Sequence, residues 1–320
     1  MSFLKQITVF GGTGFIGRYV VQRLAKEGLT IRVPTRDTEN ALSLKPAGNV
    51  GQIIPIGCST KSDSAVAKAI GPSQAVINLL GILFERGRNT FRSVHVETAA
   101  RIARIAKEQG AHNFVHVSAI SADSSSKSKY AQSKAAGEMA VQTFFPEAII
   151  FRPSLVFGAE DNFFNLFASL ARFLPFLPLI GGGATRFQPV FVGDVADAIT
   201  KTLSQTEARG QIYELGGPQI YSFRALLELI LLETNRRRSF INLPWPLAKL
   251  HAGLHELLPL PRPLITRDQV EMLKTDAVIH PHTKTLYDLG INPTALELIL
   301  PLYLKRFRAG GDLSVLEQTL

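Results

Sequence analysis

The chain has 320 residues, 46% of them hydrophobic and 19% charged, which is enough apolar sequence for one large α/β domain or for a domain with a smaller lobe. Its single cysteine, Cys58, excludes an intrachain disulfide, and the absence of an uninterrupted apolar run of about 18 residues argues against a transmembrane helix. The 35 Lys and Arg against 26 Asp and Glu give a formal net charge of +9, which favours anionic ligands or surfaces as partners.

The N-terminal half alternates short β-branched runs with helical segments. Strands are predicted at 6–10, 30–34, 52–56, 75–79, 113–117 and 147–151. Helices are predicted at 17–27, 63–70, 91–109 and 130–143, the third with an apolar face of Val94, Thr98, Ile102 and Ile105. This alternation is typical of an α/β fold: a Rossmann-type, doubly wound parallel sheet with right-handed crossovers and its ligand site at the carboxyl ends of the strands.

Four glycines fall within seven positions at the first strand–helix junction, ITVFGGTGFIG (7–17). Glycine in an ordered element costs about 0.5–1 kcal/mol relative to alanine, so this density needs a reason. In a G-x-x-G-x-x-G pattern the first glycine permits a tight turn, the second admits a pyrophosphate, and the third lets the helix pack against the strand. The pattern predicts a dinucleotide-binding loop formed by Gly11, Gly12, Thr13, Gly14, Phe15, Ile16 and Gly17; the alternative is a glycine-rich turn without a ligand.

The end of the second predicted strand indicates which dinucleotide is preferred. Sites selective for NAD carry an acidic residue there for the ribose hydroxyls, whereas arginine suits a 2′-phosphate. Here Thr35 stands at the expected position of the carboxylate and Arg36 follows it. A guanidinium matches a phosphate through two charge-assisted hydrogen bonds, so NADP(H) is favoured, and NAD(H) remains the alternative because Asp37 could serve the ribose.

A candidate reaction centre lies in YAQSK, which places Tyr130 and Lys134 on one face at the start of a predicted helix. A lysine ammonium beside a phenol lowers the pKa of the phenol and can also hold a nicotinamide ribose. The tyrosine could then exchange a proton with a carbonyl or an alcohol. The Y-x-x-x-K spacing is common by chance, and it gains weight from the glycine loop upstream.

The regular alternation of predicted strands and helices stops after residue 153. An apolar helical stretch is followed by an extended piece that leads into a helix, then by a returning strand in QIYELGG, and from about 218 by helical, proline-punctuated sequence. We therefore expect a Rossmann domain built from 1–154 and 187–217 and a smaller, mostly helical lobe built from 155–186 and 218–320.

Several phrases of the sequence resemble a known family. The glycine loop, VINLLG, VHVSA and the Tyr130/Lys134 pair are similar to an extended or atypical short-chain dehydrogenase/reductase. Beyond these, NLLGILFERG, FVHVSAISAD, FRPSLVFGAEDNFFNLFA, RFQPVFVGDVADAI, YELGGP and LITRDQVEMLKTD resemble the nucleotide-binding accessory subunit of respiratory complex I and its bacterial relatives. This likeness spans nearly the whole chain.

The resemblance extends the candidate site. It implies that the dinucleotide also contacts Asn78, Leu79, Gly81 and Pro153. In dehydrogenases of this class a serine or threonine near the end of the fifth strand polarises the substrate oxygen. Here the expected position holds Ala119, so Ser118 is the candidate donor, with Ser121 on the same loop as the alternative.

The resemblance also leaves the function open between two roles. One is tight binding of NADPH in a structural or regulatory role, with respiratory complex I or the membrane edge as a partner. The other is an active reductase or nucleotide-sugar epimerase or dehydratase that uses Tyr130, Lys134 and Ser118. A third hypothesis is an RNA-binding relative of this family. The sequence shows no aromatic–basic stacking motif that would favour it, so nucleic acid is not expected as a partner.

Neither histidine pair predicts a metal site. His251 and His255 have helical spacing and His280 and His282 share a loop, but neither pair has a cysteine nearby or a full ligand set at a recognised spacing. The opening MSFLKQITVF contains no secretory signal, and with the family resemblance this implies a bacterial protein of the cytoplasm, or of the cytoplasmic face of the respiratory membrane.

Overall fold

The computed structural model describes residues 4–257 and 263–310. Its strands are β1 (Gln6–Phe10), β2 (Thr30–Thr35), β3 (Ile53–Gly57), β4 (Ala75–Asn78), β5 (Asn113–Val117), β6 (Ile149–Pro153), β7 (Val156–Phe157), β8 (Phe176–Ile180), β9 (Arg186–Phe187), β10 (Val190–Phe191), β11 (Ile212–Leu215), β12 (Tyr221–Ser222) and β13 (Ser239–Leu243). Its α-helices are α1 (Phe15–Lys26), α2 (Thr38–Ala41), α3 (Asp63–Ile70), α4 (Ala99–Glu108), α5 (Lys129–Phe144), α6 (Phe164–Phe173), α7 (Val192–Thr202), α8 (Phe223–Glu233), α9 (Trp245–Leu257), α10 (Arg267–Met272) and α11 (Leu296–Leu304).

A parallel sheet of seven strands forms the centre of the first part of the chain. Its order is β3-β2-β1-β4-β5-β6-β11, and every neighbouring pair is parallel. The central strands β4 and β5 are buried along their whole length, as expected where helices cover both faces of a sheet. The predicted Rossmann-type α/β fold is confirmed.

The helices pack on this sheet through apolar faces. On one side, α3, α4 and α5 bury a cluster that includes Val66, Ile102, Phe114 and Phe145. Burial of side chains of this size contributes about 1.5–3 kcal/mol each relative to exposure, so the cluster holds these helices firmly against the sheet. The candidate residues are thereby held at the carboxyl ends of the strands.

A π-helical segment, Arg92–Thr98, opens the helix that was predicted as one regular α-helix at 91–109. A wider turn changes which side chains face inward. His95, rather than Val94, is buried at this level, while Ile102 and Ile105 in the regular α4 lie in the core as expected. The predicted face is therefore wrong at Val94, because its period assumed 3.6 residues per turn, whereas Thr98 is buried as expected.

The described residues divide into two compact units: 4–153, 192–215 and 280–292 form the first, and 154–191, 216–257, 263–279 and 293–310 form the second. Two segments lie elsewhere than the sequence analysis expects. Segment 280–292 belongs to the first unit, where Lys284 bridges Tyr213 of β11. Residues 187–191 belong to the second, because β9 pairs with β12 and β10 pairs with β7.

The second unit is held by an aromatic core. Phe157, Phe164 and Phe223 are almost fully buried, and α6 and α8 pack around them. At the start of α6, Asp161 accepts a hydrogen bond from the Phe164 backbone at 2.6 Å and another from the Tyr303 hydroxyl at 2.6 Å. Asp161 is thus a helix-capping residue.

No helix in the described part of the chain is long and apolar enough to cross a membrane. The apolar stretch at 163–183, the longest in the sequence, forms the ten-residue α6 and the strand β8.

Candidate functional site

The glycine loop turns tightly between β1 and α1. Gly11 has φ +82°, and a Cβ there would lie 3.1 Å from the carbonyl carbon of Leu79. The Gly14 amide donates to the Gly11 carbonyl at 3.0 Å. A Cβ at Gly17 would lie only 2.1 Å from the Gly11 oxygen, so the close packing of α1 on the turn requires glycine.

The N-terminus of α1 is open to an anion. Its N-cap is the exposed Gly14, which has no side chain to accept hydrogen bonds from the first-turn amides, and no acidic residue lies in that turn. The amides of Phe15, Ile16 and Gly17 therefore point outward with the positive end of the helix dipole. A diphosphate group fits this donor set.

The end of β2 carries the residues expected to distinguish the two dinucleotides. The Thr35 hydroxyl is engaged locally, since it accepts from the Asp37 amide at 3.1 Å and donates to the Asp37 carbonyl at 3.0 Å. The Asp37 carboxylate caps α2 by accepting from the Asn40 amide at 3.1 Å. Arg36 is exposed and forms no ion pair within the described residues.

Tyr130 lies in the first turn of α5, whose N-cap, Ser128, accepts from the Ala131 amide at 3.2 Å. The ring of Tyr130 is 8% exposed and meets Phe91 and His95 edge to face, with centroids 5.8 and 5.5 Å away. Burial raises the pKa of Tyr130 to about 12. The expectation that Lys134 lowers the pKa of this phenol is wrong in this structure, because burial dominates.

Lys134 follows one turn later and is 5% exposed. Its Nζ donates to the Val117 carbonyl at 3.0 Å, immediately before Ser118. A Cβ at Gly81 would lie 3.8 Å from the same Nζ, so Gly81 and Lys134 are brought together. Burial lowers the pKa of Lys134 to about 8, and the charge of Glu138 opposes this change.

Ser118 has an unusual hydroxyl. It is 4% exposed, and its Oγ has no hydrogen-bond partner in the part of the chain that the structure describes. Leaving a buried hydroxyl unpaired costs about 1–3 kcal/mol, so a bound group that accepts from or donates to it would be stabilised. Ser121, the alternative, is only half-buried. The structure thus makes Ser118 the better candidate for contact with a ligand.

The other candidate residues hold the strand ends together. Asn78 is buried; its amide nitrogen lies 3.2 Å from Nδ1 of His116 and its oxygen accepts from the Leu80 amide at 3.2 Å. The Leu79 amide donates to the carbonyl of Phe10 at 2.9 Å. Pro153 ends β6. These contacts fix Asn78 and Leu79 at the end of β4, where Leu79 packs against Gly11 of the glycine loop.

Sequence reasoning did not assign His95 to the site. Its Nε2 accepts from the Ile82 amide at 3.0 Å, so Nδ1 carries the proton and donates to Ser133 Oγ at 2.8 Å. Burial and the charge of Lys134 lower the pKa of His95 to about 3. His95 is therefore a neutral ring that packs against Tyr130. It lies in the π-helical turn, which the sequence pattern did not predict.

No group of three His, Cys, Asp or Glu side chains among residues 4–257 and 263–310 could hold a metal ion. His251 and His255 meet edge to face with ring centroids 4.5 Å apart, and Nδ1 of His280 lies 3.0 Å from a carboxylate oxygen of Glu214.

A cavity of about 400 Å³ lies between α1 and α7, lined by charged side chains that include Arg23, Glu27 and Lys201. Its wall includes Leu4, two residues before β1, and Leu29, directly before β2, so it opens at the amino ends of the strands. It is thus separate from the glycine loop at the carboxyl ends.

Comparison with known proteins gives consistent matches. A family model described as the NAD dependent epimerase/dehydratase family matches residues 7–216. The chain is 36% identical over 314 residues to NADH dehydrogenase (ubiquinone) 1 alpha subcomplex subunit 9, mitochondrial, of Arabidopsis thaliana, covering 95% of this chain and 78% of the relative. The Mus musculus protein of the same name is 38% identical over 305 residues, covering 94% and 80%. These matches confirm the resemblance drawn from the sequence motifs.

Solved structures show the same fold at lower identity. UDP-glucose 4-epimerase of Thermotoga maritima superimposes with a TM-score of 0.69 at 16% identity, covering 94% of this chain and 98% of that one. At this identity the likeness concerns the fold alone.

Proposed function

Because the chain belongs to the NAD dependent epimerase/dehydratase family, we propose that it binds NADP(H) and holds it in a structural or regulatory role. The glycine loop would hold the diphosphate on the open amides of α1. Lys134 would donate to the nicotinamide ribose, and Ser118 would supply a further hydrogen bond. In this role the bound nucleotide contributes to stability by favouring the folded state.

The observation that carries this proposal is the state of Tyr130. A general acid works best when its pKa lies near the operating pH. Tyr130 is roofed by Phe91 and His95, and its pKa of about 12 keeps it protonated and poorly matched to proton exchange near neutrality. The glycine loop thus leaves amides open to a diphosphate, while Tyr130 is buried and its phenol is less acidic than usual, which supports holding over turnover.

The preference for NADP(H) rests on the end of β2. Thr35 has no carboxylate, and Oδ1 of Asp37 already caps α2, so the acidic group typical of NAD-selective sites is missing at Thr35 and partly engaged at Asp37. Arg36 is exposed beside them and matches a 2′-phosphate. NAD(H) remains the alternative, since a carboxylate cap can change partners.

The test begins with the purified protein, which is denatured so that any released nucleotide can be identified by mass spectrometry. Calorimetry then compares NADPH with NADH for the wild type and Arg36→Ala. We expect Arg36→Ala to weaken NADPH by about tenfold or more, the loss of a charge-assisted pair, and to leave NADH unchanged. Lys68→Ala is the matched control, because Lys68 is an exposed cation in the last turn of α3. A preference for NADH that survives Arg36→Ala contradicts the cofactor assignment.

A second function is favoured by the unpaired Ser118 hydroxyl, which suits a substrate oxygen. In this alternative NADPH would supply a hydride to a carbonyl, while Ser118 polarises the oxygen and Tyr130 donates the proton. Turnover of carbonyl compounds that is lost in Tyr130→Phe would establish the enzyme. Stoichiometric NADPH that resists dialysis and is not oxidised by such compounds would establish the structural role.

We also propose that the chain associates with respiratory complex I or the adjoining membrane edge, since relatives of more than 30% identity carry the name of a complex I subunit. The second unit offers a surface for this. Arg172, Arg236 and Arg238 lie near one another, and burial together with the charges of the other two lowers the pKa of Arg236. None of the three pairs with a carboxylate among the described residues. The neighbouring Phe173 and Phe176 are exposed by 75% and 41%.

Fractionation of cells that make the protein tests this association. We expect the wild type to sediment with respiratory membranes, and the variant Arg172→Ala/Arg236→Ala/Arg238→Ala to be released, since each cation near an anionic surface contributes about 1 kcal/mol. Three exposed cations elsewhere, changed together in Lys61→Ala/Lys68→Ala/Arg88→Ala, control for total charge. Wild-type protein found wholly in the supernatant contradicts the association.

A further inference from the structure

A row of buried charges lies behind Lys134. Glu138 follows Lys134 by one turn of α5, so the two side chains lie on the same face of the helix. Lys134 is 5% exposed and Glu138 is 4% exposed. Charges so deeply buried are unfavourable unless other groups balance them, so the partners of Glu138 bear on the state of Lys134.

Arg152 on β6 donates hydrogen bonds to both carboxylate oxygens of Glu138. Its Nε donates to Oε1 at 2.9 Å and its Nη2 to Oε2 at 2.7 Å. Its Nη1 lies 3.7 Å from Oε1 of Glu214, the residue paired with Arg152 in the β6–β11 register. Glu214 is 1% exposed and accepts from the backbone amide of His280 at 2.8 Å. Charges of alternating sign thus run from Lys134 through Glu138 and Arg152 to Glu214.

Other titratable side chains around Lys134 are neutral. His95 from the π-helical segment and His116 from β5 both have pKa values lowered by burial and by the charge of Lys134. Tyr130, one turn earlier on α5, has a raised pKa and remains a phenol. Glu138 is therefore the anion, among the described residues, whose charge supports the Lys134 ammonium.

We propose that Glu138 is a positioning residue of the dinucleotide site: fixed by Arg152 and Glu214, its carboxylate keeps Lys134 an ammonium that can donate to the cofactor ribose. This inference rests on the proposed function. Burial alone favours loss of the lysine proton, and an amine without its charge forms a weaker hydrogen bond to a hydroxyl. The strand pairing of Arg152 with Glu214 keeps the guanidinium in place, so the support is built into the sheet.

The first measurement needs no nucleotide. Protein labelled with ¹³C-lysine is titrated by NMR, and the Lys134 signal is assigned by its loss in Lys134→Met. We expect Glu138→Gln to lower the titration midpoint of Lys134 by about one pH unit or more, a tenfold change in proton affinity. Glu147→Gln is the matched control: its carboxylate is exposed, 3.6 Å from Lys107, and should leave the midpoint unchanged. An unchanged midpoint in folded Glu138→Gln overturns the proposal.

The second measurement is NADPH affinity against pH. For the wild type, affinity should fall as the pH rises through about 8, where Lys134 loses its proton. In Glu138→Gln the same fall should begin about one pH unit lower, so that affinity relative to the wild type is reduced about twofold at pH 7 and roughly tenfold near pH 9, and recovers in mild acid. A purely structural role for Glu138 would lower affinity equally at every pH, and that result overturns the proposal.

Two further outcomes are distinguishable. If Glu138→Gln fails to fold, Glu138→Asp replaces it; a smaller shift of the Lys134 midpoint in the same direction supports the proposal, and no shift overturns it. If the midpoint moves but neither protein binds NADPH at any pH, the electrostatic link stands and the proposed function is refuted.

Discussion

Replacing Gly17 with alanine should damage both folding and nucleotide binding. The new methyl carbon would lie 2.1 Å from the Gly11 carbonyl oxygen and 2.6 and 2.7 Å from Cα and C of Gly12. Ordinary carbon contacts begin near about 3.5 Å, so the turn or α1 must move by roughly 1 Å or more. All three obstructing atoms are backbone atoms, and no side-chain rotation can relieve the overlap.

The cost follows from this geometry. Overpacking a rigid site typically costs about 1–3 kcal/mol, and here we expect the upper end, about 3 kcal/mol. For a chain of 320 residues that corresponds to a fall in the melting temperature of roughly 4–5 °C. The displaced amides should also lose NADPH binding, because the diphosphate depends on their direction. Differential scanning calorimetry and titration calorimetry measure the two effects.

Two other glycines provide matched controls. Gly28 has φ +78° and open space around it, so Gly28→Ala should cost about 1–2 kcal/mol from backbone strain and leave NADPH binding intact. Gly14 has φ −76°, and its Cβ would lie 3.2 Å from the Gly11 oxygen. Gly14→Ala should therefore change stability by less than about 1 kcal/mol while weakening NADPH. The reasoning is refuted if Gly17→Ala melts with the wild type and binds NADPH normally.

Three further substitutions separate stability from binding. The pKa of Lys134 is lowered from its ordinary 10.5 to about 8, so below pH 8 its charge reduces the free energy of unfolding by about 3 kcal/mol. This loss of stability disappears as the pH rises from 8 to 10.5. Lys134→Met should raise the melting temperature of the nucleotide-free protein at neutral pH, with the difference shrinking above pH 8; an unchanged difference across that range contradicts this pKa. Ser118→Ala should leave stability the same or raise it by up to about 1 kcal/mol, since the hydroxyl has no partner, yet reduce NADPH affinity in calorimetry; unaltered affinity removes Ser118 from the site. Asp161→Ala should lower stability in urea melts by about 1–2 kcal/mol through loss of the helix cap and of the bond to Tyr303, and a smaller loss than in the exposed Asp123→Ala control speaks against the cap.

The sheet was predictable because its signals are local. The central strands β1, β4 and β5 are short apolar runs that are buried on both faces along most or all of their length. The right-handed crossover rule then leaves few ways to arrange them. The return of QIYELGG to the sheet as β11 also followed from its pattern.

The π-helical turn and the course of segment 280–292 were not predictable by the same means. At Gly137 of α5 a Cβ would lie 2.2 Å from the carbonyl oxygen of His95, so the wide turn fits a neighbouring helix whose closeness only the folded chain reveals. Segment 280–292 follows 216–279 in sequence but is held beside β11 by Glu214. Both features depend on contacts between residues far apart in the chain.

The residue types of the site could be chosen from the sequence, but their protonation could not. Y-x-x-x-K suggested an activated phenol, yet the direction of a pKa change depends on which influence is stronger, burial or charge. In this fold Phe91 and His95 cover Tyr130, and burial prevails. The burial of Tyr130 could not be predicted from the sequence, because it depends on the π-helical turn that contains His95.

The same burial acts in opposite directions on the two residues of the pair, and this bears on function. It moves the pKa of Lys134 down towards neutrality and the pKa of Tyr130 up and away from it. A reductase needs a charged lysine, which a pKa of about 8 still provides near neutrality, and a phenol that exchanges its proton readily, so it would have to overcome the raised pKa of Tyr130 during each turnover. A protein that only holds its nucleotide needs the lysine charge alone, and the carboxylate of Glu138 supplies support for that charge and none for the phenol. The directions of these two pKa changes are therefore the ones that the proposed holding role requires, and a reductase would have to offset the change at Tyr130.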